Sequence, residues 1–430
     1  MPAYQQKKLR KEVNVKVLWF EITPPRRYAG SLGVLGGWQD SLEEAVLSLP
    51  DIELYVAFET NNPMDAEKKI GGVTYLPMQF SYSLWDKIKS KVSWSSIERE
   101  VKEKSLAVIK SVNPDIIHVF GCEWPYGEVS MLTSIPVVIH IQGSIVPYEN
   151  ALYPPKYNIW NYIKSLKFNV PRIIAAKLVE VNNRNRAKME QRIWKEVSCY
   201  MGRTHWDEAL SNVMHPGRSY YHVDETLRPM FLSSQNIWRY EKRDKVKLFT
   251  TGCTTFWKGP DMMLKTAKIL RQLGFDFEWM VAGHFPAALK KVVEHTEKSK
   301  FEENNIIFKG SLQPQDLLEE LVSSTLYVHT AYVENSPNSI CEAQCLGVPV
   351  LSTNVGGIST LLQNGKCGYL VPANDPWQMA NAIIQMSSDE ARIKELSQEE
   401  IQVARSRHKV ANIQGQLMAC YSDIIQKKNA

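Results

Sequence analysis

Short apolar runs alternate along this chain with longer segments that mix apolar and polar residues. Val13–Phe20, Val246–Thr251 and Phe277–Ala282 are largely apolar and are bounded by polar residues or glycine. Runs of this kind are typical of strands that are buried on both faces of a parallel sheet. The intervening segments have the length and spacing of amphipathic helices, so the pattern predicts an α/β protein.

In the first half, the pattern predicts several strands, an early helix and a long insertion. The helix follows Gly36-Gly37 and runs from about Trp38 to Ser48, while Pro154 to Glu196 reads as a basic, mostly helical insertion. The predicted strands of this half are Val13–Phe20, Ile52–Phe58, Ile116–Val119, Val137–Ile141 and Val197–Met201.

The second half repeats the alternation. Pro260 marks a helix start and Gly274 follows its end, an asymmetry typical of helices. Further helices are predicted at Gln315–Val322 and Pro337–Leu346. The predicted strands of this half are Val246–Thr251, Phe277–Ala282, Ile306–Phe308, Thr325–His329 and Val348–Ser352.

A chain of 430 residues is long enough for two such domains. The polar stretch Ser233–Asp244 is the predicted linker. We therefore predict a first domain at 1–236, a second at 237–404 and a closing helical segment at 405–430. Both domains are expected to be doubly wound parallel sheets of the Rossmann type.

Composition excludes several classes of protein. The net charge of +5 is dispersed, and no zinc-finger, RNP or P-loop pattern is present, so nucleic acid is not an expected partner. The seven cysteines are scattered without a CxxC pair, which favours a reducing compartment. Met1 to Lys16 lacks an apolar signal region, and no apolar run is long enough to cross a bilayer. Cytoplasm is the expected location.

The segment from Thr330 to Pro372 carries the most informative chemistry. It begins at the carboxyl end of a predicted strand, where open α/β sheets bind ligands. Ser336 is a good N-cap residue and Pro337 suits the first helical position, so the N–H groups of Asn338 and Ser339 would face an anion such as a diphosphate. One carboxylate precedes this helix and a second lies inside it, at Glu334 and Glu342.

This segment strongly resembles glycosyltransferase family 4, whose Glu-x7-Glu motif matches Glu334 and Glu342. The stretches EAQCLGVPVLSTNVGG and NGKCGYLVPANDP continue the resemblance. It implies the GT-B fold and a metal-independent hexosyltransferase that retains anomeric configuration. It also implies that Glu334 lies beside the donor sugar, that Glu342 binds the ribose hydroxyls, and that Asn335 and Ser336 to Ser339 surround the donor.

Other motifs extend the resemblance to both halves. It implies that the first domain binds the acceptor, that the second binds the nucleotide sugar, and that the closing helix at 405–430 crosses back onto the first domain. Gly252 and Lys258-Gly259 match the loop that contacts the diphosphate, with Lys258 neutralising the departing phosphate. Gly36-Gly37 resemble the glycine loop that approaches the donor from the first domain; an ordinary strand-to-helix turn is the alternative. The family commonly has an arginine directly after the glycine that Gly252 matches, where this chain has Cys253. Arg203 is a candidate replacement from across the cleft, or else a surface arginine.

A second departure concerns a histidine that many members carry at the end of a strand in the first domain. Alignment on the following glycine places Gln142 in that position, and His140 falls on the other face of the strand. Glutamine hydrogen-bonds a hydroxyl but does not titrate. His140 is therefore expected to be a buried core residue.

These motifs predict a retaining glycosyltransferase that moves a sugar from a UDP- or GDP-linked donor to a hydroxyl of a saccharide or lipid-linked acceptor. Glycan or surface polysaccharide synthesis is the expected context. Glu334 and Lys258 are the predicted catalytic residues, the nucleotide sugar is a co-substrate, and no other cofactor or metal is expected. The alternatives are a nucleotide-sugar 2-epimerase of the same fold and a non-catalytic sugar-binding protein.

The insertion has a composition that suits a membrane surface. Basic residues beside interfacial aromatic rings favour an anionic headgroup layer at the inner face of the membrane. The alternatives are a solvated helix pair with inward aromatic rings, or a groove for a soluble saccharide. The residues concerned are Lys156, Lys164, Lys167, Arg172 and Lys177, with Tyr153, Tyr157, Trp160, Tyr162 and Phe168.

Overall fold

The computed structural model describes residues 14–30, 37–81, 93–165, 167 and 169–429. Within these ranges, the first half forms an eight-stranded sheet in the order β3-β4-β2-β1-β5-β6-β7-β8, parallel except for the edge strand β3. Its strands are β1 (Val15–Glu21), β2 (Ile52–Thr60), β3 (Lys68–Ile70), β4 (Val73–Gln79), β5 (Ile116–Phe120), β6 (Val137–His140), β7 (Cys199–Gly202) and β8 (Ser219–His222).

The described part of the second half forms a six-stranded parallel sheet in the order β11-β10-β9-β12-β13-β14. Its strands are β9 (Val246–Thr251), β10 (Phe277–Ala282), β11 (Ile306–Gly310), β12 (Leu326–His329), β13 (Val350–Thr353) and β14 (Tyr369–Val371). The two sheets confirm the predicted pair of α/β domains. Strands β3, β4, β8 and β14 were not anticipated from the apolar pattern.

Helices cover both sheets. They are α1 (Arg26–Ala29), α2 (Trp38–Leu47), α3 (Ser95–Val112), α4 (Ile145–Glu149), α5 (Ile159–Ser165), α6 (Val170–Glu196), α7 (His205–Met214), α8 (Pro229–Leu232), α9 (Pro260–Gln272), α10 (Ala287–Glu297), α11 (Pro314–Ser323), α12 (Asn338–Leu346), α13 (Ile358–Leu361), α14 (Pro376–Ser388), α15 (Glu390–Arg407) and α16 (Val410–Asn429). Short 3₁₀ turns lie at Pro125–Met131, Phe256–Lys258, Glu302–Asn304 and Gln363–Gly365.

The central strand β1 explains why an unbroken apolar run marks a strand here. Leu18 and Phe20 pack into the core on one face of the sheet, whereas Val17 and Trp19 pack into the core on the other. Because both faces are covered, neither set of alternating side chains reaches water. The apolar run is therefore the sequence signature of a strand between two helical layers.

The last helix, α16, returns to the first sheet. Tyr421 lies in the core beside β1, where its hydroxyl accepts from Trp19 Nε1 at 3.1 Å and contacts His118 Nδ1 at 2.6 Å. The hydrogen bond between Trp19 and Tyr421 joins residues 402 positions apart along the chain. The final helix thus packs on the first domain after the chain has completed the second sheet.

The insertion packs across onto the second half of the chain. Tyr153, Tyr157 and Tyr162 all contact the ring of Phe256, and the Tyr157 hydroxyl donates to Glu297 at 2.8 Å. These tyrosines therefore follow the inward alternative. Trp160, by contrast, is 62% exposed, and Phe168 lies outside the described residues.

Candidate active site

The centre of the second sheet contains a crevice between β9 and β12. These strands are neighbours, yet the chain leaves β9 towards β10 on one side and leaves β12 towards β13 on the other. Ligands of open α/β sheets bind at such a switch point, outside the carboxyl ends of the strands. Gly252 follows β9 at this position, and the loop that carries Glu334 follows β12.

Gly259 allows the two loops to pack together. Its φ is +70°, and a Cβ atom there would overlap the carbonyl group of Thr330, so only glycine fits without displacement. The Thr330 hydroxyl donates to the Lys258 carbonyl oxygen at 3.0 Å, and the Tyr332 N–H donates to the Trp257 carbonyl oxygen at 2.7 Å. These contacts bring Lys258 beside the Glu334 loop.

Lys258 and Glu334 form a direct ion pair through Nζ and Oε1. Glu334 is only 7% exposed, and His329 Nε2 lies 3.6 Å from the same oxygen. Burial alone would raise the pKa of Glu334, but Lys258 and then His329 outweigh it and lower the pKa to about 2. The two predicted catalytic residues are therefore adjacent, and Glu334 is ionised at neutral pH.

Contacts from both halves of the chain hold the Glu334 loop. The Gly357 N–H donates to the Glu334 carbonyl oxygen at 3.0 Å, and a Cβ atom on Gly356 would overlap that same carbonyl. Asn335 reaches the first domain, where its Nδ2 donates to the Gln142 carbonyl oxygen at 3.1 Å and its Oδ1 accepts from Thr204 at 3.0 Å. The loop is thus fixed at the boundary between the two sheets.

The predicted cap of the next helix is wrong. Helix α12 begins at Asn338 with Pro337 as its N-cap, and Ser336 does not cap it. The Ser336 hydroxyl instead donates to Glu225 Oε1 at 2.7 Å, because this buried carboxylate lies against the start of the helix. The Asn338 side chain, with its nitrogen towards Glu225, donates to the same carboxylate at 3.2 and 3.1 Å.

Arg203 is not a surface residue. Its side chain is buried, its Nη1 lies 3.2 Å from Glu225 Oε2, and its guanidinium packs 5.1 Å from the centre of the Trp38 ring. Burial raises the pKa of Glu225, and the charge of Arg203 opposes that rise. Arg203 therefore reaches the cleft already paired with a carboxylate that sequence reasoning missed. In sequence Glu225 is one of two adjacent acids in a loop, and only its partners distinguish it.

Two further predicted residues lie close to this cluster. Gln142 Oε1 accepts from Trp38 Nε1 at 3.0 Å, so the loop after β6 contacts the start of α2. Ser339 lies beside Tyr327 on β12, whose hydroxyl contacts the Thr251 hydroxyl at 2.8 Å. His140 is fully buried as predicted, and burial with the neighbouring His118 and Arg203 lowers its pKa.

Glu342 lies inside α12 and is held by Arg228. Burial, partly offset by Arg228, raises the pKa of Glu342 to about 7. Arg228 also lines a cavity of about 910 Å³ between the two halves, and Gly37 is another of its lining residues. Gly37 is the N-cap of α2, and Gly36 lies outside the described residues.

Residues 235–407 match the family model of glycosyl transferases group 1. The chain carries a group 1 glycosyltransferase domain. Among curated proteins it is 26% identical over 216 residues to a D-inositol 3-phosphate glycosyltransferase of Paenarthrobacter aurescens, covering 48% of this chain and 53% of that protein. The match therefore spans about half the length of this relative.

Solved structures identify the fold of this chain as GT-B. Sucrose-phosphate synthase from Thermosynechococcus elongatus superposes with a TM-score of 0.71 at 14% identity, covering 96% of this chain and 100% of that one. Anabaena HepE in complex with UDP and glucose gives a TM-score of 0.58 at 14% identity, covering 95% and 99% of the two chains.

No described helix is both long enough and apolar enough to cross a bilayer. In the same part of the chain, no group of three or more His, Cys, Asp or Glu residues is arranged to hold a metal ion. All seven cysteines are free.

Proposed function

We propose that this glycosyltransferase transfers a sugar from a UDP- or GDP-linked donor to a hydroxyl acceptor, with retention of configuration and without a metal ion. The observation that carries the proposal is the Lys258–Glu334 ion pair at the switch point between β9 and β12. It joins a cation suited to a leaving phosphate with a carboxylate suited to a positive anomeric centre. Glycan or surface polysaccharide synthesis is the proposed setting.

The donor diphosphate is proposed to lie between Lys258 and the start of α12. The free N–H groups of a helix start favour an anion. Apart from Gly252 and its chain neighbours, no atom of the described residues lies within 4 Å of the position that a Cβ on Gly252 would take, so this side of the crevice has room for a ligand. The ribose would then reach Glu342 and the cavity lined by Arg228 and Gly37.

Arg203 and Glu225 form an ion pair at the proposed donor site. Glu225 contacts Ser336 and Asn338, residues that the donor is expected to contact. The diphosphate of a bound donor would compete with this carboxylate for the hydrogen bonds that Ser336 and Asn338 donate. It would also compete for the ion pair with Arg203. Donor binding is therefore proposed to displace Glu225 from Ser336, leaving Arg203 to face the phosphate.

In the proposed reaction, the acceptor oxygen forms a bond to the anomeric carbon while the bond from that carbon to the phosphate oxygen breaks. The acceptor proton passes to the departing phosphate oxygen on the same face, which accounts for retention without a separate base. Lys258 stabilises the negative charge that develops on the phosphate. Ionised Glu334 stabilises the positive charge of the oxocarbenium-like sugar.

The proposal is tested first by thermal shift with a panel of UDP- and GDP-sugars. A stabilised complex identifies the donor, because a ligand that binds only the folded protein raises its melting temperature. NMR of the product formed from that donor then reports the anomeric configuration, in buffer with and without EDTA. An inverted product, an epimerised sugar, or activity lost with EDTA and restored by manganese would each contradict part of the proposal.

A further inference from the structure

A second cavity, of about 480 Å³, opens at the switch point of the first sheet. Strands β1 and β5 are neighbours there, and the chain leaves them towards opposite sides of the sheet. Ile22 and Thr23 follow β1, Glu123 follows β5, and all three line the cavity. The first sheet thus has the same ligand-binding geometry as the second.

Two glycines make room for the Glu123 carboxylate in this cavity. A Cβ on Gly121 would overlap that carboxylate, and a Cβ on Gly143 would lie 3.0 Å from Glu123 Oε1 and 2.8 Å from the Tyr148 hydroxyl. The carboxylate and the phenol therefore lie side by side. Arg186 Nη2 donates to the Glu123 carbonyl oxygen at 3.1 Å and so holds the loop that follows β5.

The cavity adjoins the loops that carry Lys258 and Glu334. Trp257, the residue before Lys258, forms one wall, and its ring stacks on Tyr148 with centres 5.7 Å apart and an angle of 27°. Gln142 lines the cavity as well, and its carbonyl oxygen accepts from Asn335 beside Glu334. A ligand in this cavity would therefore adjoin both the donor loop and the predicted catalytic pair.

The charges around the cavity favour a neutral ligand. Among the described residues that line it, the ionisable groups are two carboxylates, Glu123 and Glu149, the guanidinium of Arg186, and the Tyr148 phenol, whose pKa burial raises above its usual value. When Glu123 is ionised, an anionic ligand would meet two carboxylates and one guanidinium, whereas a sugar hydroxyl donates readily to a carboxylate. The apolar face of a sugar ring also suits the flat indole of Trp257.

We infer that this cavity binds the acceptor as an uncharged sugar ring, with Glu123 accepting a hydrogen bond from one of its hydroxyl groups and Trp257 covering its apolar face. The inference rests on the proposed function and adds the class of acceptor. It distinguishes this chain from an enzyme whose acceptor bears a phosphate. Glu123 acts here in binding and specificity, while the acceptor proton still passes to the leaving phosphate.

The test uses p-nitrophenyl hexosides of several common sugars and their 6-phosphates, with quenching of tryptophan fluorescence as the readout. Trp257→Phe identifies the part of the signal that comes from the cavity. Burial and Glu190 raise the pKa of Glu123 to about 7, so titrations at pH 8 keep it largely ionised. We expect at least one neutral hexoside to bind about tenfold or more tightly than its 6-phosphate.

Glu123→Gln gives a readout that a merely structural role would not produce. It should weaken binding of the neutral hexoside about tenfold and, by removing negative charge, should strengthen binding of the 6-phosphate. Glu103→Gln makes the same change at an exposed position on α3 and should alter neither. The thermal shift caused by the donor should be the same in all these variants.

The outcomes separate this inference from the proposed function. Equal or tighter binding of the 6-phosphate by the unmodified protein, no binding of any neutral hexoside, or an unchanged preference in Glu123→Gln would each overturn the inference while donor binding persists. Absence of a thermal shift with every nucleotide sugar would instead count against the proposed function itself.

Discussion

Arg228 binds a single carboxylate oxygen of Glu342 through two nitrogens, with Nε at 2.9 Å and Nη2 at 2.7 Å. The two residues are 114 positions apart, and Arg228 lies just before the polar stretch that precedes the second sheet. The second glutamate of the motif is therefore positioned by a cation from outside the motif. Because the pair is largely buried, loss of one partner leaves the other charge without compensation.

Glu342→Ala is expected to weaken binding of the donor nucleotide at least about tenfold, because the ribose loses its acceptor and Arg228 loses its partner. Calorimetry with the nucleotide found in the thermal-shift panel measures the effect. Glu342→Gln keeps an acceptor oxygen at the same position and should retain more of the affinity. Unchanged affinity in the alanine variant would rule out the assigned role.

Glu334→Gln should lower kcat about a hundredfold while changing donor affinity little, because the carboxylate acts where charge develops. The folded-state pKa of about 2 lies below the ordinary value of 4.5. The stability that ionised Glu334 contributes is thus fully present above pH 4.5 and is lost only as pH falls through about 2. The loss in kcat should therefore be the same at every pH from 5 to 9. A loss confined to one end of this range would contradict the assignment.

Gly259→Ala is expected to destabilise the protein by about 1–3 kcal/mol and to abolish most transfer activity, because the methyl group would displace the Lys258 loop from Thr330. Gly274→Ala is a matched control. Its φ of +69° is nearly the same, but beyond its chain neighbours no atom in the described part of the chain lies within 4 Å of the added Cβ. Chemical denaturation and initial rates compare the two. Equal losses in both variants would show that backbone strain alone is responsible.

The insertion is expected to bind anionic liposomes in preference to neutral ones. Lys164, Lys167 and Arg172 are exposed, as are Trp160 and Val170, which suits a charged headgroup layer. Changing the three basic residues to Glu should abolish sedimentation with anionic vesicles.

The matched control for the liposome experiment changes Lys291, Lys298 and Lys409 to Glu. These residues are exposed and lie outside the insertion, so the net charge changes equally. This variant should sediment as the unmodified protein does. Negligible binding of the unmodified protein to both vesicle types would remove the membrane prediction and favour a soluble acceptor.

The strands of the two sheet centres could be predicted because their signal is local. β9 and β10 begin and end at the predicted residues, since each is a short segment with an apolar centre that stops at a glycine. The edge strand β3 could not be found in this way. Two of its three residues, Lys68 and Lys69, are exposed. Because they are not buried, the strand does not need apolar residues and has no apolar pattern.

The residues of the candidate site also fall into those that local sequence identifies and those that it does not. Glu334, Glu342 and Lys258 could be identified because family motifs keep them at recognisable spacings within short segments. Their partners could not be identified, since Glu225 and Arg228 come from a loop whose sequence resembles any polar connection. Neither the pairing of Arg203 with Glu225 nor the start of α12 at Asn338 follows from local preference.

By itself, the sequence determined the alternating elements, the two-sheet architecture and the motif that carries the proposed chemistry, because periodicity and short spacings are local properties of a chain. Only the tertiary structure decided which charges meet. Arg228 reaches Glu342, Glu225 occupies the start of α12, and Trp257 covers the cavity that holds Glu123. Contacts of this kind depend on how the two sheets face each other across the cleft, and the free energy that selects them comes from burial and charge pairing between segments far apart in sequence.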